Sequence, residues 1–241
     1  MKAIICAAGE GKRLKPITDN LPKSMVNVGQ KSILEHMLDN LSSCGIKETI
    51  IITGYREELI KDKIGEEYRG CKIKYYTNLD YQKTDNMFSL WIAKGEIDEG
   101  IIFLNGDIIF NKKILEKILE DKLSNAIVVD NQIELVEDSM KVHISNGEVK
   151  TIGKKIENPN GWAIGIYKLS IEGAKQYYQE IEKLINEGGK SSSFVKPIGS
   201  LLKNYPMNVV NTDGLGWKEI DDLSDLAEAR LKINCILDYD N

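Results

Sequence analysis

Over the first 110 residues, short and almost uninterrupted apolar runs alternate with segments whose apolar residues return every three or four positions. Ala3–Ala7 is one such run, as a strand buried on both faces requires. Ile33, Leu34, Met37, Leu38 and Leu41 then recur at helical spacing, which predicts an amphipathic helix stopping near Gly45. Thr49–Thr53 reads as a second buried strand, followed by Gly54 and a charged helix from about Glu57 to Ile64. Lys72–Tyr76 is a third strand and Phe88–Ala93 is helical. Gly100–Leu104 is a fourth buried strand, running into Asn105-Gly106-Asp107. Such alternation predicts an α/β fold, a mostly parallel sheet with helices on both faces.

The second half changes character. Met140–Ile144 and Glu148–Ile152 flank Ser145-Asn146-Gly147, a hairpin signal. Asn158-Pro159-Asn160-Gly161 marks a turn before a strand at Trp162–Tyr167. Helices are expected around 171–186 and 193–203, strands at Met207–Asn211 and Trp217–Asp221, and a closing helix at Leu223–Ile236. No repeat and no low-complexity linker interrupts the chain. The reading is therefore one domain over 1–241, with halves at 1–110 and 111–241.

Composition narrows the function classes. A net charge of −5 argues against a general nucleic-acid binder, which carries a basic excess. The four cysteines, at 6, 44, 71 and 235, have no C-x-x-C spacing. They are expected to be free thiols, buried at Cys6 and Cys44, which places the protein in a reducing cytoplasm. The apolar run near the N-terminus is too short for a signal peptide and meets Glu10, Lys12 and Arg13 at once. No stretch is long enough to cross a membrane.

Ala7-Ala8-Gly9-Glu10-Gly11-Lys12-Arg13-Leu14-Lys15-Pro16 follows the first strand directly. Glycines there let backbone N–H groups approach a phosphate, and Lys12, Arg13 and Lys15 add charged donors. A P-loop string is absent. A dinucleotide fingerprint would need glycine at Leu14 and an acidic end to the second strand, which ends Thr53-Gly54-Tyr55-Arg56 instead.

This loop, with Leu21-Pro22-Lys23-Ser24-Met25 downstream, resembles the two-part signature of sugar-1-phosphate nucleotidyltransferases and their relatives. Phe103–Asp107 and Trp217–Asp221 resemble two later motifs of that family, in the expected order. The resemblance implies a Rossmann-like three-layer sandwich with a mixed sheet and a small hairpin-and-helix portion for the acceptor. Residues 1–110 would then bind the nucleotide and 111–241 the acceptor. It also implies that Ala8, Gly9, Gly11 and Lys12 hold the nucleotide, that Arg13 meets its triphosphate and Lys23 the reacting phosphates, and that Asp107 and Asp221 hold Mg²⁺. Physics fits that last pairing, since Mg²⁺ takes one or two carboxylates plus phosphates and waters. Read singly, Asp107 equally suits a turn and Asp221 a helix start.

The implied reaction is attack of an acceptor phosphate on the α-phosphorus of a nucleoside triphosphate, with pyrophosphate leaving. Such a nucleophile is already an anion and needs no general base, in keeping with two histidines, His36 and His143, that both read as structural. Asp85-Asn86-Met87-Phe88-Ser89-Leu90 looks more like bacterial phosphocholine cytidylyltransferases and relatives acting on phosphonates or phosphoglutamine than like the thymidylyl or uridylyl enzymes. CTP is thus the preferred nucleotide, with Asn86 reaching the base or ribose or else capping a helix. Trp162 could face a quaternary ammonium and Lys155 the acceptor phosphate; a packing tryptophan and a solvated lysine are the plain alternatives. Gly153-Lys154-Lys155-Ile156 departs from the E-K-P string of the sugar enzymes, which counts against a hexose 1-phosphate. A sugar-1-phosphate or inositol-phosphate nucleotidyltransferase and a non-catalytic nucleotide-binding regulatory subunit are the rival readings. Oligomeric state stays open, with a homodimer as one option.

Overall fold

The computed structural model describes residues 1–120 and 124–237. Its strands, in chain order, are β1 (Lys2–Cys6), β2 (Asn27–Val28), β3 (Lys31–Ser32), β4 (Glu48–Thr53), β5 (Glu67–Tyr68), β6 (Cys71–Thr77), β7 (Ile101–Asn105), β8 (Ile108–Phe110), β9 (Ala126–Asp130), β10 (Lys141–Ser145), β11 (Glu148–Gly153), β12 (Gly161–Leu169), β13 (Asn208–Asn211) and β14 (Trp217–Glu219). The α-helices are α1 (Ile33–Ser43), α2 (Glu57–Ile64), α3 (Asn86–Ile92), α4 (Lys112–Glu120), α5 (Ile171–Asn186), α6 (Val195–Leu201) and α7 (Leu223–Leu237).

One continuous sheet runs in the order β10-β11-β13-β9-β12-β7-β1-β4-β6-β5. The strands β7, β1, β4 and β6 run parallel, with β1 between β4 and β7 and β4 beside β6, while the short β5 is antiparallel at the edge. Strand β12 enters antiparallel to both β7 and β9, and turns the sheet into a mixed one. Side chains along each strand alternate between two faces, and the two cores follow that period. Ala3 and Ile5 pack with α1, α2, α4 and α7, whereas Ile4 packs on the other face with α3, α5 and α6. This is the three-layer α/β sandwich expected from the alternation, with its site at the C-terminal ends of the parallel strands.

The expected hairpin forms between β10 and β11, with Asn146 and Gly147 both at positive φ, as a two-residue primed turn requires. Helix α1 starts at a capping box in which Ser32 Oγ accepts from the Glu35 N–H and Glu35 returns a bond to the Ser32 N–H. Six elements have no counterpart in the sequence reading: the short strands β2, β3, β5 and β8, helix α4 and strand β9. Helix α4 buries Ile114, Leu115 and Ile118, and β9 is wholly buried between β12 and β13. Cys6 and Cys44, expected to be buried, are only partly so, because one lines a cavity and the other ends α1. All four thiols are free. Among the described residues no helix is long and apolar enough to cross a membrane.

Candidate active site

The chain leaves β1 through the glycine loop, which is pinned by backbone bonds from Ala7 N–H to Ile52 O (2.8 Å) and from Tyr55 N–H to Ala8 O (3.2 Å). Gly11 sits at φ +69, and a Cβ there would press on the Lys23 stem at 3.0 Å. The glycine thus lets the Lys23 segment fold back over the loop, where its N–H bonds to Gly9 O at 3.3 Å. At the end of β7 a Cβ on Gly106 would collide with the carbonyl oxygen of Cys6. Only glycine lets β7 turn so tightly past β1 and deliver Asp107 to the loop. Pairing of β14 with β8, Glu219 opposite Ile108, carries Glu219 and Asp221 to the same point, and Ile220 N–H bonds to Asp107 O at 2.8 Å.

Lys23 Nζ stands at the centre, 2.7 Å from Asp107 Oδ2 and 2.6 Å from Asp221 Oδ1. Arg13 reaches the other oxygen of Asp221 at 2.9 Å and approaches Asp138 at 3.9 Å. Burial opposes the charge on Lys23, yet Asp107 and Asp221 outweigh it and hold the ammonium above the usual lysine range. Burial likewise raises Asp221, but Lys23 and Arg13 prevail and keep its carboxyl below the usual range. At Glu219 the pull of Lys23 is outweighed. Burial first, then Asp107 and Asp221, push it up to about 8.

Two cavities meet here. A cavity of about 430 Å³ is lined by Ala8, Gly9, Gly11, Lys12, Asn86 and Asp107, together with Arg13, Lys23 and Asp221. Every residue assigned to the nucleotide from the sequence lies on this one surface. Asn86 is the first residue of α3 and the cap is Asp85, whose carboxylate accepts from the Asn86 N–H at 2.6 Å. A second cavity of about 370 Å³ lies across Arg13 and Asp221 and takes in Trp162, Trp217, Asp138 and Glu219. The two tryptophan rings meet edge to face at 5.3 Å, and Trp217 is fixed by its Nε1–H bond to Asp130 (2.7 Å). Lys155 is not brought to either cavity; it lies exposed in the bend after β11. His36 is buried and bonds to Val28 O at 2.8 Å, and the partly exposed His143 bonds to Asn158 O at 2.8 Å; neither lines either cavity.

With this geometry in place, the comparisons are decisive. A nucleotidyl transferase family model matches residues 2–234. The chain belongs to the nucleotidyl transferase family. A CTP:phosphoglutamine cytidylyltransferase of Campylobacter jejuni is 28% identical over 254 residues, covering 94% of this chain and 98% of that one. A UTP–glucose-1-phosphate uridylyltransferase of Haloferax volcanii is 33% identical over 165 residues, 66% of this chain and 67% of its own. The inositol-1-phosphate CTP transferase structure from T. maritima superposes with a TM-score of 0.80 at 21% identity, over 97% and 96% of the two chains. The chain spans 21% and 50% of the length of two larger curated relatives that it also matches.

A divalent metal is general to nucleotidyltransferases. The residues present suit one. Asp107, Glu219 and Asp221 each offer a carboxylate oxygen within 4.8 Å of the others, and Asp107 Oδ1 is buried with no hydrogen-bond partner. A hard cation that favours oxygen ligands matches such a set. Sequence reasoning found Asp107 and Asp221 but missed Glu219. The signal was there: Glu219 and Asp221 are two apart on an extended segment and so face the same way.

Proposed function

We propose that the protein transfers a cytidylyl group from CTP to a small phosphorylated acceptor. An acceptor phosphate oxygen forms a bond to the α-phosphorus, the bond from that phosphorus to the bridging oxygen breaks, and pyrophosphate leaves with the electron pair. The carrying observation is that the two cavities share Arg13 and Asp221, with Lys23 lying between Asp107 and Asp221. A nucleotide in the first cavity and an acceptor in the second would meet at these residues.

The backbone of residues 8–11 cradles the phosphates, while Arg13 and Lys23 donate to their oxygens as charge builds. Asp107, Glu219 and Asp221 would hold Mg²⁺, which when bound supplies charge neutralisation on the phosphates. No side chain need remove a proton, because the attacking phosphate is an anion, and both histidines face elsewhere. Alignment and electrostatics therefore carry the catalysis.

CTP is favoured by the Asn86 segment and by the Campylobacter and T. maritima likenesses, whose own names carry CTP. For the acceptor, the second cavity pairs aromatic faces with carboxylates from Asp138, Asp222 and Asp225. That chemistry suits a head group with a positive nitrogen, as in phosphocholine, an aminoalkylphosphonate or a similar compound. Free thiols suit a reducing cytoplasm as the setting. The Haloferax likeness keeps a sugar 1-phosphate as the second reading.

The test is pyrophosphate release with Mg²⁺, each common nucleoside triphosphate including dTTP, and a panel of acceptors. That panel spans phosphocholine, phosphoethanolamine, 2-aminoethylphosphonate, phosphoglutamine, inositol phosphate and hexose 1-phosphates. Release confined to CTP and one amine-bearing acceptor is expected. Release with UTP and a hexose 1-phosphate would replace this reading with the second.

A further inference from the structure

Both oxygens of Asp221 are engaged by cations, Oδ1 by Lys23 and Oδ2 by Arg13. Only one of those cations also reaches Asp107. Lys23 bridges the two aspartates at 2.7 and 2.6 Å, and its side chain is 15% exposed against 57% for Arg13. A divalent ion held by the same two carboxylates would bring two positive charges to the place where the ammonium lies. An ammonium held between those oxygens at hydrogen-bond length cannot stay beside it without strong like-charge repulsion.

We propose that Lys23 is the internal counter-cation of the Asp107–Asp221 pair, and that a divalent ion binds there by exchange with it, which releases Lys23 toward the substrate phosphates. The inference rests on the metal reading of these carboxylates. Charge accounts for the direction. Nucleotide phosphates attract Lys23 away from the aspartates, and the ion takes up the carboxylates it leaves. Each ligand therefore helps the other bind, and by linkage the help is mutual. Free metal alone meets a site already neutralised by a buried lysine and binds it weakly.

The structure provides for such an exchange. The Lys23 stem passes beside Gly11, where a side chain would press on it at 3.0 Å. Among the described residues Asp107 Oδ1 has no hydrogen-bond partner, so this carboxylate offers an acceptor oxygen that Lys23 does not use.

Calorimetric titration of the full chain with Mn²⁺ alone tests the idea. Lys23→Met keeps the stem and removes the charge. It should bind Mn²⁺ about tenfold tighter or more than the wild type, as expected when a neighbouring like charge is removed from a partly buried site. A second titration follows CTP binding with and without Mn²⁺; the metal should tighten CTP in the wild type and do so less in the variant. Thermal melts guard against misfolding: Mn²⁺ should raise the melting temperature of Lys23→Met more than that of the wild type. Lys23→Gln, which keeps donors toward both carboxylates, carries the same expectation. Equal Mn²⁺ affinity in wild type and both lysine variants, with CTP still tightened by Mn²⁺ in the wild type, would overturn the exchange and leave the metal reading standing. Tightening by Arg13→Met instead would also overturn it. No Mn²⁺ binding to any of these proteins, and no effect of Mn²⁺ on CTP, would remove the metal reading itself.

Discussion

The two cavities are built from different materials. The cavity proposed for the nucleotide is shaped largely by backbone at its glycine end: a loop pinned to β4 and its neighbouring loop, a tight passage of β7 past β1, and small residues such as Ala8, Gly9 and Gly106. The cavity proposed for the acceptor is made of side chains, with Trp162, Trp217, Ile133 and Val136 around a set of carboxylates. Backbone recognises what all nucleotides share, the phosphates, through N–H groups that a change of substrate need not alter. Side-chain walls recognise what differs between acceptors. One chain can thus keep its chemistry fixed on one side and vary its specificity on the other. Lys23, Arg13 and the carboxylates form the seam between the two.

The largest effect is expected at that seam. On the proposed reaction Lys23 offsets phosphate charge in the transition state, so Lys23→Ala should lower turnover about a hundredfold or more, as for other lost electrostatic donors. Steady-state rates over a range of both substrates measure it. Near-normal turnover would dissolve the distinction between seam and walls, because Lys23 would then serve the fold alone.

Trp162→Ala should act on one side only. Loss of an aromatic face beside a cationic head group costs about 0.5–2 kcal/mol, or roughly 2-fold to 30-fold in acceptor KM. The KM for CTP should stay where it is. A rise in both constants would mean that the two cavities are not separable and that Trp162 supports the seam from behind. Unchanged constants would move the acceptor away from this wall.

What the sequence revealed divides along the same line. Backbone devices leave strong marks in sequence. Gly11 and Gly106 are glycines because a Cβ would strike Lys23 or Cys6, and Lys23 lies where the chain doubles back over the loop. The buried strands of the first half were readable because parallel strands covered on both faces show continuous apolar runs. Side-chain walls leave weak marks. Ile133 and Val136 sit in an irregular stretch between β9 and β10 whose sequence carries no period, and only the fold brings them to Trp162. Strand β9 is as apolar as β1 but lies beyond α4, whose pattern of Ile114, Leu115 and Ile118 received no reading. The spacing of Glu219 and Asp221 puts both on one face, but only the pairing of β14 with β8, a long-range contact, brings that face to Asp107.

A smaller effect probes how firmly the nucleotide side is held. The Ile33 N–H that opens α1 bonds to Val26 O, just past the turn that carries Lys23. Ser32→Ala removes the cap and should cost about 1 kcal/mol of stability. Glu35→Gln adds a pH test. Burial raises the Glu35 carboxyl, but its bonds from Ser32 and the nearby Lys63 prevail and hold it below the usual glutamate value. A depressed folded value means the contribution is complete above the unfolded value and fades as pH falls through the folded one. The stability gap between wild type and Glu35→Gln should therefore be full at neutral pH and shrink in acid. Denaturant melts at pH 7 and below pH 4 would read it. A gap that grows in acid would reverse the assignment.

Lys155 offers the smallest expected change and the sharpest limit on the acceptor side. The family resemblance made it a candidate for the acceptor phosphate, yet its side chain stands in water after β11, outside both cavities. Neighbouring Lys154 reaches Asp138, itself a wall of the acceptor cavity, at 3.1 Å. If the acceptor phosphate is held by Arg13 at the seam, Lys155→Ala should alter acceptor KM by no more than about twofold, the range of an exposed substitution. A tenfold rise, with CTP unaffected, would show that the bend carrying Lys154 and Lys155 folds over the bound acceptor. The acceptor side would then be completed by its substrate, whereas the nucleotide side is built in advance.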